Sequence, residues 1–177
     1  MSTMGQGYRA IILGSPEEKE IIRTFVDSHT YNNGYKLMEH SYVGNTYVEA
    51  VEYLICPLAM FYKSRLVWAG DYADKEKAYG QNLYHLSCGD GSERKMSVPE
   101  SFDMSSYKYI VNHTTKQYVD KYAKGTLHPL PLLTAEGNGR GGGDYREDPL
   151  VGTWARHVVS MEKEIPHGYD VLVCDFD

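Results

Sequence analysis

Between Gly137 and Gly143 the chain places five glycines in seven positions, a density that neither a helix nor a strand tolerates. Glu136–Asp148 is therefore expected to be an irregular loop, and the core must come from what precedes and follows it. That stretch is too short to link two independent domains flexibly. The chain reads as one domain, residues 1–177, with a polar leader over Met1–Gly7. At this length roughly 70% of the unfolded surface can be buried, so no metal or disulfide staple is required.

The apolar runs on either side set the fold class. Tyr8–Leu13 is a compact apolar run ending at Gly14 and predicts a buried strand. Ser15, Pro16, Glu17 and Glu18 resemble a helix start, and Ile21, Ile22, Phe25 and Val26 follow at helical spacing. They predict a first helix dying near Ser28–Thr30, before the turn Asn32-Asn33-Gly34. A second helix is expected from Thr46, with Thr46 and Glu49 as a capping box and Pro57 ending it. Arg65–Ala69, Asn82–Ser87, Tyr107–Val111, Trp154–Val159 and Tyr169–Cys174 read as strands, and Lys116–Tyr122 fits a strand or a short helix. Pro129 and Pro131 predict an extended approach to the glycine loop. Strands and helices do not alternate, so the expectation is an α+β fold: a largely antiparallel sheet with one or two helices packed on it.

Composition narrows the partners. The formal net charge of −6 argues against a protein that coats DNA or RNA, so nucleic acid is not an expected partner. Cys56, Cys88 and Cys174 are widely spaced and odd in number, which argues against a disulfide framework or a structural zinc site. No apolar stretch is long enough to span a membrane, and Met1–Gly7 lacks the character of a signal peptide. A cytoplasmic location is expected, and the sequon Asn112-His113-Thr114 is read as chance. Tyr is the outlier, with 16 copies against 4 Phe. Its ring and hydroxyl suit half-buried strands, so a Tyr-rich sheet is the expectation, and rings that line a ligand pocket are the alternative.

The glycine loop is the strongest candidate for chemistry. Glycines let successive N–H groups converge into a nest that holds phosphate or another anion. Gly139, Gly141, Gly142 and Gly143 supply that backbone, and Arg140 adds a charge-assisted fork to the same anion. Asn138 and Asp144 can read ribose hydroxyls or base edges, and Tyr145 can stack. No Lys-Ser or Lys-Thr follows the last glycine, and no strand–turn–helix context surrounds it, which excludes a P-loop and a dinucleotide fingerprint. Trp68, Asp71 and Tyr72 form a second cluster, a carboxylate at a strand end with an aromatic on each side. His128, His113 and Asp71 are the candidates for acid–base work. His113, His157, Glu136 and Asp71 could serve a metal only in principle, because no ligand spacing supports one. No cofactor is called for, and Cys88 reads as a buried structural thiol.

The segments Trp68-Ala69-Gly70-Asp71-Tyr72-Ala73, Val111-Asn112-His113-Thr114, His128–Tyr145 and Val151-Gly152-Thr153-Trp154-Ala155 carry a likeness. Through them the chain resembles a family of small uncharacterised proteins of tailed bacteriophages and their prophages, from about Tyr8 onward. That family has no established activity, so no catalytic residue is carried over. The resemblance implies expression inside an infected bacterium and an accessory role against host enzymes or defence signals. The resulting expectation is a non-catalytic binder of a phosphorylated small molecule, a nucleotide or nucleotide-derived signal. The alternatives are a phosphodiesterase-like enzyme and a protein that docks on a host enzyme. The sequence leaves open whether copies of the chain associate.

Overall fold

The computed structural model describes residues 6–18, 22–90, 92–137 and 148–176. Its centre is a mostly antiparallel sheet whose strands run in the order β2-β1-β3-β7-β4-β5-β8. Here β1 is Tyr8–Leu13, β2 Ile22–Val26, β3 Ser64–Gly70, β4 Tyr109–Asn112, β5 Gln117–Asp120, β7 Val158–Glu162 and β8 Asp170–Val171. The short β6, Ala135–Glu136, runs parallel to β3, with Trp68 opposite Ala135 and Ala69 opposite Glu136. The other parallel pair is β5 with β8. Four helices complete the described residues: α1 (Leu37–His40), α2 (Thr46–Leu54), α3 (Leu83–Asp90) and α4 (Pro129–Leu133). The expected α+β class holds.

The central strands are buried on both faces, which is why β1, apart from the ion-paired Arg9, is apolar without alternation. One face carries the larger core, where Trp68, Tyr47, Trp154 and Ile110 meet α2 and α4. The other face is a smaller cluster of Ile11, Leu13, Phe25, Val67 and Ala69, closed by Leu83 of α3. No helix among the described residues is long and apolar enough to cross a membrane.

Three elements differ from the sequence reading. The segment expected to be the first helix gives only a 3-10 turn, Pro16–Glu18, and then the edge strand β2. Ile22–Val26 is rich in β-branched residues, and its pairing with β1 (Ala10 opposite Val26, Ile11 opposite Phe25) outweighs the helical spacing. Asn82–Ser87 is not a strand. Asn82 accepts from the His85 N–H at 2.9 Å and so starts α3. The approach to the glycine loop is not extended but helical. Pro129 and Pro131 fall in the first turn of α4, where no N–H is needed, and His128 caps it by accepting from the Leu130 N–H at 3.2 Å.

Smaller shifts follow the same logic. The cap of α2 is Asn45, which accepts from Tyr47 and Val48, rather than Thr46. The strand expected over Trp154–Val159 begins only at Val158, because residues 151–156 form turns. Of Tyr169–Cys174 only Asp170–Val171 pairs.

Candidate functional site

An open cleft of about 700 Å³ lies where β3 ends. One wall is the segment after β2, which presents His29, Asn33, Tyr35 and Lys36. A second wall, Gly7, Asp71 and Tyr72, meets the first where Gly7 packs on Tyr35, and Tyr84 of α3 also lines the cleft. A second hollow of about 470 Å³, lined by Lys75, Asn82 and His85, shares Asp71 with it.

The first wall has its shape because it is tied down locally and from behind. Asp27 caps the 3-10 turn Ser28–Tyr31 by accepting from the His29 N–H at 2.9 Å. Asn32 closes that turn at φ 56°, a left-handed conformation that Asn adopts more readily than most residues. Behind it, Asn45 Nδ2 donates to Asn33 Oδ1 at 2.6 Å. His40 is fully buried, receives the Trp68 indole N–H at 2.9 Å on Nε2, and so donates from Nδ1 to the Gly34 carbonyl at 3.0 Å. Burial holds this imidazole neutral, with its pKa lowered to about 4.

The second wall is fixed by a reciprocal pair. The Gly7 N–H donates to Asp71 Oδ1 at 3.0 Å, and the Asp71 N–H donates to the Gly7 carbonyl at 2.9 Å. Asn82 Nδ2 donates to the Asp71 carbonyl at 3.0 Å. Asp71 Oδ2 accepts from no donor among the described residues. Lys36 has no carboxylate within ion-pairing distance among the described residues. Tyr72 is half exposed, Tyr35 stacks on His29 at 5.7 Å, and burial pushes the Tyr84 hydroxyl up to about 12, which keeps it neutral.

Arg9 touches Tyr84 of the cleft and is held by several groups, although its Nε has no hydrogen-bond partner among the described residues. Its guanidinium lies 4.5 Å from the Tyr84 ring centroid and 4.8 Å from that of Phe25. It also donates to Asp27 Oδ2 at 2.8 Å, Ser87 Oγ at 2.8 Å and Cys88 Sγ at 3.2 Å. Arg9 therefore positions Tyr84 rather than waiting for an anion. Cys88 is exposed on α3, not buried as its neighbours in sequence suggest.

The residues singled out from the sequence separate here. Asp71 and Tyr72 line the cleft. Trp68 does not: its side chain is fully buried among Tyr47 and His40, and neither ring face is open to a ligand. His128 is also sealed in. Its Nε2 lies 3.2 Å from Glu52 Oε1, and Lys121 Nζ donates to the same oxygen at 2.8 Å. Burial pushes the Glu52 carboxyl upward, but His128 and Lys121 outweigh that, and it sits below its ordinary value. This is a buried ion group of the core, with no route to the cleft through His128.

His113 belongs to another network. It bonds the Tyr169 hydroxyl at 2.9 Å and Ser160 Oγ at 2.8 Å, and Ser160 donates on to Glu162 at 2.6 Å. The acid sits on the serine rather than on the imidazole, so this is not a nucleophilic triad. Among the described residues no three His, Cys, Asp or Glu side chains cluster as a metal site requires.

Asn138, Gly139, Arg140, Gly141, Gly142, Gly143, Asp144 and Tyr145 lie outside the described residues. The point from which they depart is defined. Gly137 and Gly70 both abut the Gln6 amide, and a Cβ on either glycine would collide with Gln6 Oε1. That oxygen accepts from the Tyr72 N–H at 3.3 Å. The glycine-rich segment thus leaves the sheet beside the Gly70–Tyr72 corner of the cleft. Arg156 anchors its base by forking to Glu136 at 2.6 and 2.8 Å and to Glu76 at 2.7 and 2.9 Å.

Sequence reasoning missed His29, Asn33, Tyr35, Lys36 and Tyr84. The Asn32-Asn33-Gly34 turn is the available signal, but the helical spacing before it puts it after a helix rather than at a sheet end. No protein-family model matches the chain, and no curated protein or solved structure does either.

Proposed function

We propose that the chain binds a phosphorylated small molecule, a nucleotide or nucleotide-derived signal, in the cleft at the end of β3 and releases it unchanged. The observation that carries this reading is an ammonium and a carboxylate oxygen, Lys36 and Asp71, both without partners among the described residues and both lining one cleft with three tyrosines. A nucleotide offers a matching trio of anion, hydroxyls and flat ring. The glycine-rich segment leaves from the same corner. Its N–H groups and Arg140 are the proposed phosphate cradle. In the infected bacterium that the phage-family resemblance implies, such a binder would withdraw a defence signal. A processing enzyme is the second reading. It draws on His29 and Asp71, since both line the cleft while His128 and His113 are committed elsewhere.

A thermal-shift screen over nucleotides and cyclic nucleotides tests the proposal. A ligand at a hundredfold excess over its Kd adds about 2.7 kcal/mol, or about 5–10 °C in Tm for a chain of this size. Arg140→Ala should abolish the shift and leave the unliganded Tm unchanged. A panel with no shift removes the proposal. Turnover of a shifting nucleotide, lost in His29→Ala, moves the chain to the enzyme reading.

A further inference from the structure

We infer that Asp71 reads the vicinal hydroxyls of a ribose, so that the cleft takes ribonucleotides and discriminates against their 2′-deoxy counterparts. The inference rests on the nucleotide reading above and adds the sugar class to it.

Asp71 is the best-fixed polar group in the cleft. Its N–H, its carbonyl and one carboxylate oxygen are each held, by the Gly7 carbonyl, Asn82 Nδ2 and the Gly7 N–H. Three anchors on one residue leave the side chain little freedom to turn. The second oxygen, Oδ2, is left without a donor among the described residues. A carboxylate is an acceptor only, so what completes it must bring donors. Lys36 does not fill that role, since it forms no ion pair among the described residues.

The surroundings select the kind of donor. A cationic ligand group would meet Lys36 in the same cleft, where like charge disfavours it, although Glu39, which also lines the cleft, offsets part of that repulsion. Neutral hydroxyl donors meet no such penalty. A ribose 2′,3′-diol presents two adjacent O–H groups, which one carboxylate can accept together in charge-assisted bonds. The exposed ring of Tyr72, next in sequence, is at hand for the base. Asp71 lines both the cleft and the neighbouring hollow.

The test is a set of titrations with the full chain. The probes are adenosine, guanosine, cytidine and uridine 5′-mono- and triphosphates, each beside its 2′-deoxy form. A hydrogen bond to a charged acceptor sets the expected preference for the ribonucleotide at about 10- to 100-fold. Asp71→Asn keeps the shape and the acceptor facing Gly7, but replaces the free oxygen with a donor. It should bring the two sugars to within about threefold of each other. If Asp71→Asn fails to fold, the wild-type ratio alone decides. Nucleotides that bind equally well with either sugar overturn this inference and leave the nucleotide reading standing. A chain that binds none of these probes and none of the cyclic nucleotides in the thermal-shift panel overturns both.

Discussion

Glu52, Lys121 and His128 meet inside the core, whereas Asp71, Lys36 and His29 are spread around an open cleft. Both groups contain one acid, one lysine and one histidine. In the core the charges are paired: Lys121 donates to Glu52 at 2.8 Å and to the Met104 carbonyl at 3.0 Å, and His128 Nε2 lies 3.2 Å from the same carboxylate without making a well-aligned hydrogen bond. In the cleft the acid keeps a free oxygen and the lysine a free ammonium among the described residues. Residue type does not separate the two groups. What separates them is whether the polar atoms are already satisfied by the fold, and only unsatisfied ones have anything to offer a ligand.

The contrast breaks most visibly at its two lysines. Lys121→Ala leaves Glu52 buried without one of its two cationic partners and should cost about 3–5 kcal/mol in urea unfolding. A loss below about 1 kcal/mol would mean that the core group is loosely held and that the distinction fails. The pH dependence comes next. His40 has a folded pKa of about 4 against an ordinary value of 6.5. The unfolded chain therefore binds one more proton between those two values. Stability is full above about pH 6.5 and falls on acidification toward pH 4, by up to about 1.4 kcal/mol per unit and about 3 kcal/mol in all. Urea unfolding across that range should show the fall. The dependence should be shallower in His40→Gln, although that variant starts from lower stability. Equal slopes in the two proteins would mean that His40 does not hold the Gly34 wall as a neutral imidazole.

How far this contrast could be read in advance depends on the range of the forces involved. The strand β1 was legible because an apolar run before Gly14, broken only by Arg9, has one sensible burial. The edge strand β2 was not, because Ile22, Phe25 and Val26 fit a helix face as well as a strand, and the partner that decides, β1, lies across a turn. Helix α3 was hidden for a related reason. Leu83 and Ser87 are its buried residues among those whose burial is described, too few to give a periodic stripe, and the Asn82 cap reads as part of a strand. At the site, Asp71 and Tyr72 were found because a Gly-Asp-Tyr strand end signals itself locally. Trp68, three residues before Asp71, belongs to the core. Which way its ring points depends on His40 and Tyr47, residues far away in the chain. His128 failed in the same manner, because only the fold brings Glu52 and Lys121 to it.

Lys36 gives the smallest effect on the protein and the sharpest view of the contrast. Its backbone N–H caps onto Glu39 at 3.0 Å, but its ammonium supports nothing in the fold among the described residues. Lys36→Ala should therefore change unfolding stability by no more than about 0.5 kcal/mol, the ordinary range for a surface replacement. If the cleft holds an anionic ligand, the same change should weaken nucleotide binding about tenfold at low salt, because one charge-assisted contact is lost. That difference should shrink as salt is raised, since an open cleft screens the pair. Titration of wild type and variant at two ionic strengths reads both effects. A variant that binds as tightly as wild type assigns the phosphate entirely to other groups. A variant that unfolds easily would place Lys36 with Lys121, as part of the frame rather than of the site.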